Sequence, residues 1–81
     1  MKSPIFSKQA QKSIQRIPSP EKQRIRVGIE KLPAGDVKRL SGHIDLYRLR
    51  IGDWRVLFTM VADEIYIEDV LPRGGAYKGG I

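Results

Sequence analysis

Residues 8–32 carry apolar side chains at helical spacing, and residues 46–71 carry them at strand spacing. Between residues 8 and 17, three apolar residues recur at i, i+4 and i+7: Ala10, Ile14 and Ile17. This spacing places them on one face of a helix. Ser7 is suited to cap the helix at its N-terminus. Pro18 ends it, because a proline disfavours the helical conformation of the residue before it.

A second helix is predicted from Ser19 to Leu32. Ser19 is a good N-cap residue, and Pro20 is tolerated at the first helical position. The helical spacing continues through Ile25, Ile29 and Leu32. Gly28 weakens this helix by roughly 1 kcal/mol relative to alanine, unless close packing requires a small residue there. The run of Pro33, Ala34, Gly35 and Asp36 then ends the helix.

The period of the pattern changes to two in residues 46–51, which predicts a strand. Tyr47, Leu49 and Ile51 share one face of it, and Arg48 and Arg50 share the other. Gly52-Asp53 predicts a hairpin turn into a second strand, residues 54–62. Asp63-Glu64 predicts another turn, into a third strand over residues 65–71.

Two shorter segments complete the predicted order. Ile5 and Phe6 form an edge strand, and residues 37–44 form a connector anchored by Leu40. The order is β-α-α-β-β-β. It predicts an α+β fold in one domain, residues 1–81, with two N-terminal helices packed on one face of a small antiparallel sheet and the other face partly open.

Composition narrows the classes of function. Lysine and arginine total 15 against 9 acidic residues, a formal charge of +6, which suits a polyanionic partner or simply keeps a small domain soluble. Cysteine is absent, so the reducing cytoplasm is expected. No apolar run reaches the roughly 20 residues that span a bilayer, and the N-terminus does not resemble a signal peptide. Neither a metal site nor another cofactor is expected.

Four arginines are the main candidates for chemistry: Arg48, Arg50, Arg55 and Arg73. The hairpin brings Arg55 beside the first two if its register places it on their face, and Arg73 leaves the next strand near the same end. Each arginine alone is compatible with a solvated sheet face carrying local ion pairs. Four converging guanidinium groups favour phosphate binding, because such groups bind phosphates bidentately.

Other candidates surround this cluster. Tyr77 lies in a glycine-rich tail, where it either pins the tail to the core or stacks on an RNA base. His43 is the only histidine and has a weak claim as a general base. Peripheral RNA contacts are assigned to Lys38, Arg39, His43 and Lys78. Trp54, at the start of a strand, is expected in the core or at its rim.

Three stretches of the chain resemble a known family. They are LSG at residues 40–42, YRLRIGDWRVLF at residues 47–58, and LPRGGAYK at residues 71–78. Together they resemble the RelE branch of the RelE/ParE toxin superfamily, over essentially the whole chain. The order β-α-α-β-β-β is that family's order, and the late arginine and tyrosine favour RelE-like nucleases over ParE-like gyrase poisons.

The resemblance implies a toxin of a type II toxin–antitoxin system that is a metal-independent endoribonuclease. Members of this branch cleave mRNA in the ribosomal A site by attack of the ribose 2′-OH on the adjacent phosphate, which inhibits translation. The implied catalytic residues are Arg48, Arg50, Arg55, Arg73 and Tyr77. Lysines occupy the paired strand positions in RelE, but arginine effectively cannot lose its proton. Tyr77 is therefore expected either to take the 2′-OH proton as a phenolate or to stack on the base beside the cut.

The resemblance also implies partners and leaves alternatives. A cognate antitoxin, the ribosome and mRNA are expected, with operator DNA contacted only indirectly through the antitoxin complex. No membrane partner is expected. One alternative is a ParE-like inhibitor of DNA gyrase. Another is a non-catalytic basic relative that binds RNA without cleaving it, with a steep dependence on salt.

Overall fold

The computed structural model describes residues 3–40 and 45–72, which form two helices and five strands. The helices are α1 (Lys8–Gln15) and α2 (Ser19–Glu30). The strands are β1 (Ile5–Phe6), β2 (Asp36–Arg39), β3 (Leu46–Ile51), β4 (Trp54–Val61) and β5 (Glu64–Pro72).

The strands form one sheet in the order β1-β5-β4-β3-β2. β1 pairs with β5 in parallel, and the other neighbours are antiparallel. α1 packs mainly against β5, and α2 packs against β3. The predicted α+β class is confirmed, with two helices over a mostly antiparallel sheet.

The predicted connector contains a strand that the apolar pattern did not indicate. β2 reads Asp-Val-Lys-Arg, and only Val37 in it is apolar. It pairs with β3 along its whole length, from Asp36 opposite Arg50 to Arg39 opposite Tyr47. Among the described strands β2 lies at the edge of the sheet, and charged side chains at such an edge discourage pairing with another chain. Backbone pairing to β3 therefore defines this strand.

The helix ends and the last turn are partly as predicted. Ser7 caps α1, because its Oγ accepts a hydrogen bond from the Ala10 N–H at 2.9 Å. Ser19 does not cap α2; the N-cap is Pro18, which supplies no side-chain hydrogen bond. The final turn lies one residue earlier than predicted, because Val61 pairs with Glu64 and leaves residues 62–63 between the strands.

The core lies between the helices and one face of the sheet. Phe58 is fully buried there, and its ring stacks on Tyr47 with centroids 5.5 Å apart. The buried apolar residues of the cluster are Ala10, Ile17, Ile25, Ile29, Leu32, Leu49, Val56, Phe58, Ile65, Ile67 and Val70. The apolar faces predicted for the helices and for the strands therefore pack against each other in one core.

Gly28 is explained by close packing. A Cβ atom built at this position would lie 2.5 Å from Cδ1 of Ile51 on β3. The glycine lets α2 approach the sheet at a point where a side chain would force Ile51 to move. The expected loss of helix propensity at Gly28 is thus matched by a steric requirement of the fold.

β5 is irregular near its middle and is fastened there to α1. The register between β4 and β5 shifts at Leu57 and Phe58, so one extra residue of β5 bulges from the ladder. Beside the bulge, Ser13 of α1 donates a hydrogen bond to Asp69 Oδ1 at 2.6 Å.

Neither helix in the described part of the chain is long and apolar enough to cross a membrane.

Candidate functional site

The sheet face opposite the helices carries four of the predicted residues. Strand register pairs Arg50 with Arg55, and Arg48 with Lys38 on its other neighbour. Directly paired residues point to the same face, and alternation separates them from the core side chain Leu49. This register places Arg55 on the same face as Arg48 and Arg50, which the predicted cluster requires. We call Lys38, Arg48, Arg50 and Arg55 the arginine face.

Arg55 is held rigidly within this face. Its side chain is 9% exposed, and its Nη1 donates to the backbone carbonyl of Gly52 at 3.2 Å and of Trp54 at 3.1 Å. Gly52 lies in the β3–β4 turn and Trp54 begins β4, so the hairpin sets the direction of the guanidinium group. Arg50, directly opposite, is exposed to solvent. The face thus combines one fixed and one accessible cation.

Arg48 is partly shielded by its neighbours. Its side chain is 13% exposed, and Nη1 lies 3.9 Å from Asp36 Oδ2. This is the one ion pair found between described residues. At that distance, and with an exposed carboxylate, such a pair adds little stability. The charge of the arginine face is therefore mostly uncompensated within the described residues.

Placing like charges directly opposite each other on a sheet is unfavourable in the free protein. Arg50 and Arg55 occupy such a pair of positions. The carbonyl acceptors of the turn ease this repulsion for Arg55 only. A polyanion bound across both guanidinium groups would relieve the remaining repulsion and would accept charge-assisted hydrogen bonds from them. The geometry is suited to a phosphate ligand.

The remaining predicted residues fall into two groups. Arg39 pairs with Tyr47 and lies on the opposite side of the sheet from Arg48. The structure therefore does not bring Arg39 together with the arginine face. The others lie outside the described residues, and their roles stay predictions: His43, Arg73, Tyr77 and Lys78.

Acidic side chains lie at the other end of the same face, near the β4–β5 turn. Thr59 donates a hydrogen bond to Glu68 Oε2 at 2.9 Å, and the Tyr66 hydroxyl donates to Glu64 Oε2 at 3.1 Å. The hydrogen bond to Glu64, its negative charge and partial desolvation raise the pKa of Tyr66. The contact with Glu64 therefore favours the protonated form of the Tyr66 phenol.

A contact that the sequence did not reveal joins α2 to the β3–β4 hairpin. The indole Nε1 of Trp54 donates a hydrogen bond to Glu21 Oε2 in the first turn of α2. The two residues are far apart in the chain, and the only local signal is an acid where the helix dipole favours one. The contact fixes the helix against the strand that carries Arg55.

We expect the Glu21→Ala substitution to lower the free energy of unfolding by about 1–2 kcal/mol, because Trp54 loses a charged acceptor. Urea denaturation followed by tryptophan fluorescence measures this. Glu30→Ala, an exposed acid at the other end of α2, is the matched control and should change stability little. Equal losses in both variants would show that the indole contact contributes nothing.

The candidate site in the described part of the chain is built from cationic side chains. No group of three or more histidine, cysteine, aspartate or glutamate side chains there is arranged to hold an ion. The observed cations are instead arginine and lysine side chains. The arrangement can bind and stabilise anionic oxygen atoms through guanidinium groups.

Comparison with known proteins places the chain in a family. The family model described as the ParE toxin of type II toxin–antitoxin system, parDE, matches residues 5–77. Toxin RelE3 of Methanocaldococcus jannaschii is 27% identical over 81 residues, covering 90% of this chain and 92% of that protein. RelE1 of the same organism is 44% identical over 45 residues, so the match spans 53% of this chain and half of that relative.

Solved structures agree with the sequence relatives. The archaeal RelE–RelB complex from Pyrococcus horikoshii matches with a TM-score of 0.70 and 32% identity, covering 93% of this chain and 100% of that one. The RelB–RelE antitoxin–toxin complex from Methanococcus jannaschii gives a TM-score of 0.78 and 26% identity, covering 90% and 94%. The chain is therefore a RelE-type member of the RelE/ParE superfamily of type II toxin–antitoxin toxins.

Proposed function

We propose that this toxin is an endoribonuclease that cleaves mRNA in the ribosomal A site by attack of the ribose 2′-OH on the adjacent phosphate. The observation that carries the proposal is the pairing of Arg50 with Arg55, with Arg48 beside them, on the sheet face opposite the helices. The positive charge of these three guanidinium groups is complementary to the negative charge of an RNA backbone.

The chemistry follows from the fixed position of Arg55. As the 2′-oxygen attacks, negative charge grows on the non-bridging oxygens of the phosphate. A donor already held in place by the Gly52 and Trp54 carbonyls stabilises that charge without reorganising during the reaction. Arg50 is exposed and suited to bind the incoming phosphate. The ribosome supplies alignment of the mRNA, so the small protein need not do so.

The proton of the 2′-OH requires a different group. Arginine effectively cannot act as a base at neutral pH, and Tyr66 is bound to Glu64 with a raised pKa. We assign this role to Tyr77, which would take the proton as a phenolate. The alternative role for Tyr77 is to stack its ring on the neighbouring base. Arg73 is assigned to stabilising the negative charge on the phosphate or on the leaving 5′-oxygen, and that oxygen takes a proton from water to give the 5′-OH end.

Replacing Tyr77 with phenylalanine is expected to lower the rate of mRNA cleavage by about 100-fold if its hydroxyl transfers the proton. Primer extension on mRNA bound to ribosomes measures the rate. Tyr66→Phe is the matched control, because it removes a phenol from the same protein at the acidic end of the sheet. Normal cutting by the Tyr77 variant would show that its hydroxyl has no part in the reaction.

The direct test of the proposed activity uses the purified toxin in a translation extract. Fragments ending in a 2′,3′-cyclic phosphate and a 5′-OH, formed on translated mRNA and not on free mRNA, support the proposal. Intact mRNA together with halted translation would contradict it. Nucleic-acid binding that falls steeply with salt, without fragments, would instead identify a non-catalytic RNA-binding relative.

A cognate antitoxin is part of the proposal. Two of the similar solved structures are complexes of RelE with RelB, and this chain resembles their toxin subunits. The arginine face has the charge to receive an acidic antitoxin segment, which would block access of RNA. We propose that the toxin–antitoxin complex also contacts operator DNA through its antitoxin. We further propose that the toxin acts in the cytoplasm.

Inhibition of DNA gyrase is the second candidate, because the matching family model is that of the ParE toxin. The shared fold does not separate the two activities. A supercoiling assay with purified gyrase does so. Loss of supercoiling with intact mRNA in the translation extract supports the gyrase candidate, whereas unchanged supercoiling with rapid mRNA cleavage supports the nuclease.

A further inference from the structure

Arg24 on α2 reaches the tip of the β3–β4 hairpin from the helix side of the sheet. Gly52 has a φ of +56°, a left-handed conformation that favours glycine. A Cβ atom built there would lie 3.3 Å from Nη2 of Arg24 on α2. The guanidinium group of Arg24 therefore rests against the same turn whose carbonyl groups hold Arg55.

Arg24 does not form an ion pair in the described part of the chain. Its nearest acid along the helix is Glu21, one turn earlier, but that carboxylate accepts the indole N–H of Trp54. The same hydrogen bond fixes the start of α2 against β4, which holds Arg24 at the hairpin tip. The tip is thus approached by guanidinium groups from both faces of the sheet.

A groove continues from Arg24 along α2. It is shallow, has a volume of about 380 Å³, and is lined by Val27, Gly28, Ile51 and Lys31 among others. None of its lining residues is acidic. Val27 is 39% exposed there, which makes it one of the few exposed large apolar side chains among the described residues. Arg24 and Lys31 are seven positions apart, about 10 Å along the helix.

We infer that the RNA-binding surface extends from the arginine face around the hairpin tip and onto α2. In this arrangement Arg24 and Lys31 each contact an RNA phosphate, and a nucleotide flanking the cleaved position lies over Val27 and Ile51. Charge complementarity and continuity with the arginine face identify a single-stranded RNA as the occupant. The inference rests on the proposed RNA substrate and extends it to residues outside the reaction itself.

The test measures binding of a 2′-O-methylated single-stranded RNA, which cannot be cleaved, as a function of salt. The Arg24→Gln/Lys31→Gln variant is expected to reduce the slope of log K against log salt by about 1.4, since each lost phosphate contact on a single strand removes about 0.7. The Lys12→Gln/Arg16→Gln variant on α1 is the control, because it removes two exposed cations and lowers the formal net charge equally.

The outcomes separate this inference from the proposed function. Equal slopes for the two variants would show that only net charge matters and would overturn the inference. In that case, salt-dependent binding of the RNA by the wild-type protein would still agree with the proposed nuclease. If the wild-type protein binds this RNA without salt dependence, both proposals fail. If the α2 variant loses affinity for polyglutamate and keeps the full RNA slope, the groove receives an acidic polypeptide and the assignment to RNA is wrong.

A length series of the same RNA adds a second readout. With oligonucleotides long enough to leave the arginine face and pass the hairpin tip, the α2 variant binds more weakly than wild type. With two or three nucleotides, the two proteins bind equally, because the short strand does not reach Arg24. A deficit that is independent of length would indicate a general electrostatic effect and contradict the extended surface.

Discussion

Replacing Arg55 with alanine is expected to lower the rate of mRNA cleavage by about 100-fold or more, the usual loss when one preorganised donor to transition-state charge is removed. The structure explains why Arg55 should have the largest effect on the face. It is the buried member of the cluster and has two backbone acceptors in the β3–β4 hairpin, Gly52 in the turn and Trp54 at the start of β4. Primer extension on ribosome-bound mRNA measures the loss.

Three variants complete this test. Arg55→Lys keeps the charge and most of the stem but loses the planar donor set, so it should recover only part of the rate. Arg50→Ala probes the same face at an exposed position without altering the contacts in the turn. Arg16→Ala, an exposed arginine at the end of α1, should cut normally. An Arg55→Ala protein that is folded by circular dichroism and fully active would refute the proposed role.

Replacing Phe58 with alanine should lower the free energy of unfolding by about 3–5 kcal/mol, the cost of emptying a large buried site. Phe58 is fully buried in β4 and stacks on Tyr47. A protein of this size has a total stability of only about 5–15 kcal/mol. The variant is therefore expected to be largely unfolded at modest denaturant concentration, as measured by urea denaturation.

Val61→Ala on the same strand is the control for Phe58. Val61 is 48% exposed, so its truncation should change the free energy of unfolding by no more than about 0.5 kcal/mol. Similar midpoints for the two variants would mean that the stacked pair is not at the centre of the core.

Most of the fold follows from the periodicity of apolar residues. The start and end of β3 agree with the alternation of Tyr47, Leu49 and Ile51, because one buried face imposes that pattern directly. α1 begins at the predicted residue, Lys8, after its cap Ser7, whereas α2 begins one residue before the predicted first helical residue, Pro20, because Pro18 and not Ser19 is its N-cap. β2 was missed because its sequence is charged and its pairing depends on β3, a neighbour that a local pattern does not contain.

The candidate site was predictable in its residue types and less so in its arrangement. Arg48 and Arg50 are on one face by strand alternation alone, but Arg55 joins them only through the register of the hairpin. Arg39 was grouped with Lys38 by sequence proximity, and strand alternation sends it to the opposite side. Arg24 carried no signal, because its approach to Gly52 depends on how α2 crosses the sheet.

The parallel pairing of β1 with β5 has a consequence for the order of events during synthesis. β1 and α1 are made first, yet their partner in the sheet is the last strand described, with Ile5 opposite Tyr66. Contacts between such distant segments form late in folding. A nascent chain must therefore expose the apolar side of α1 until β5 has left the ribosome. The sheet that carries the arginine face is completed only when β5 pairs with β4, which places this step near the end of folding.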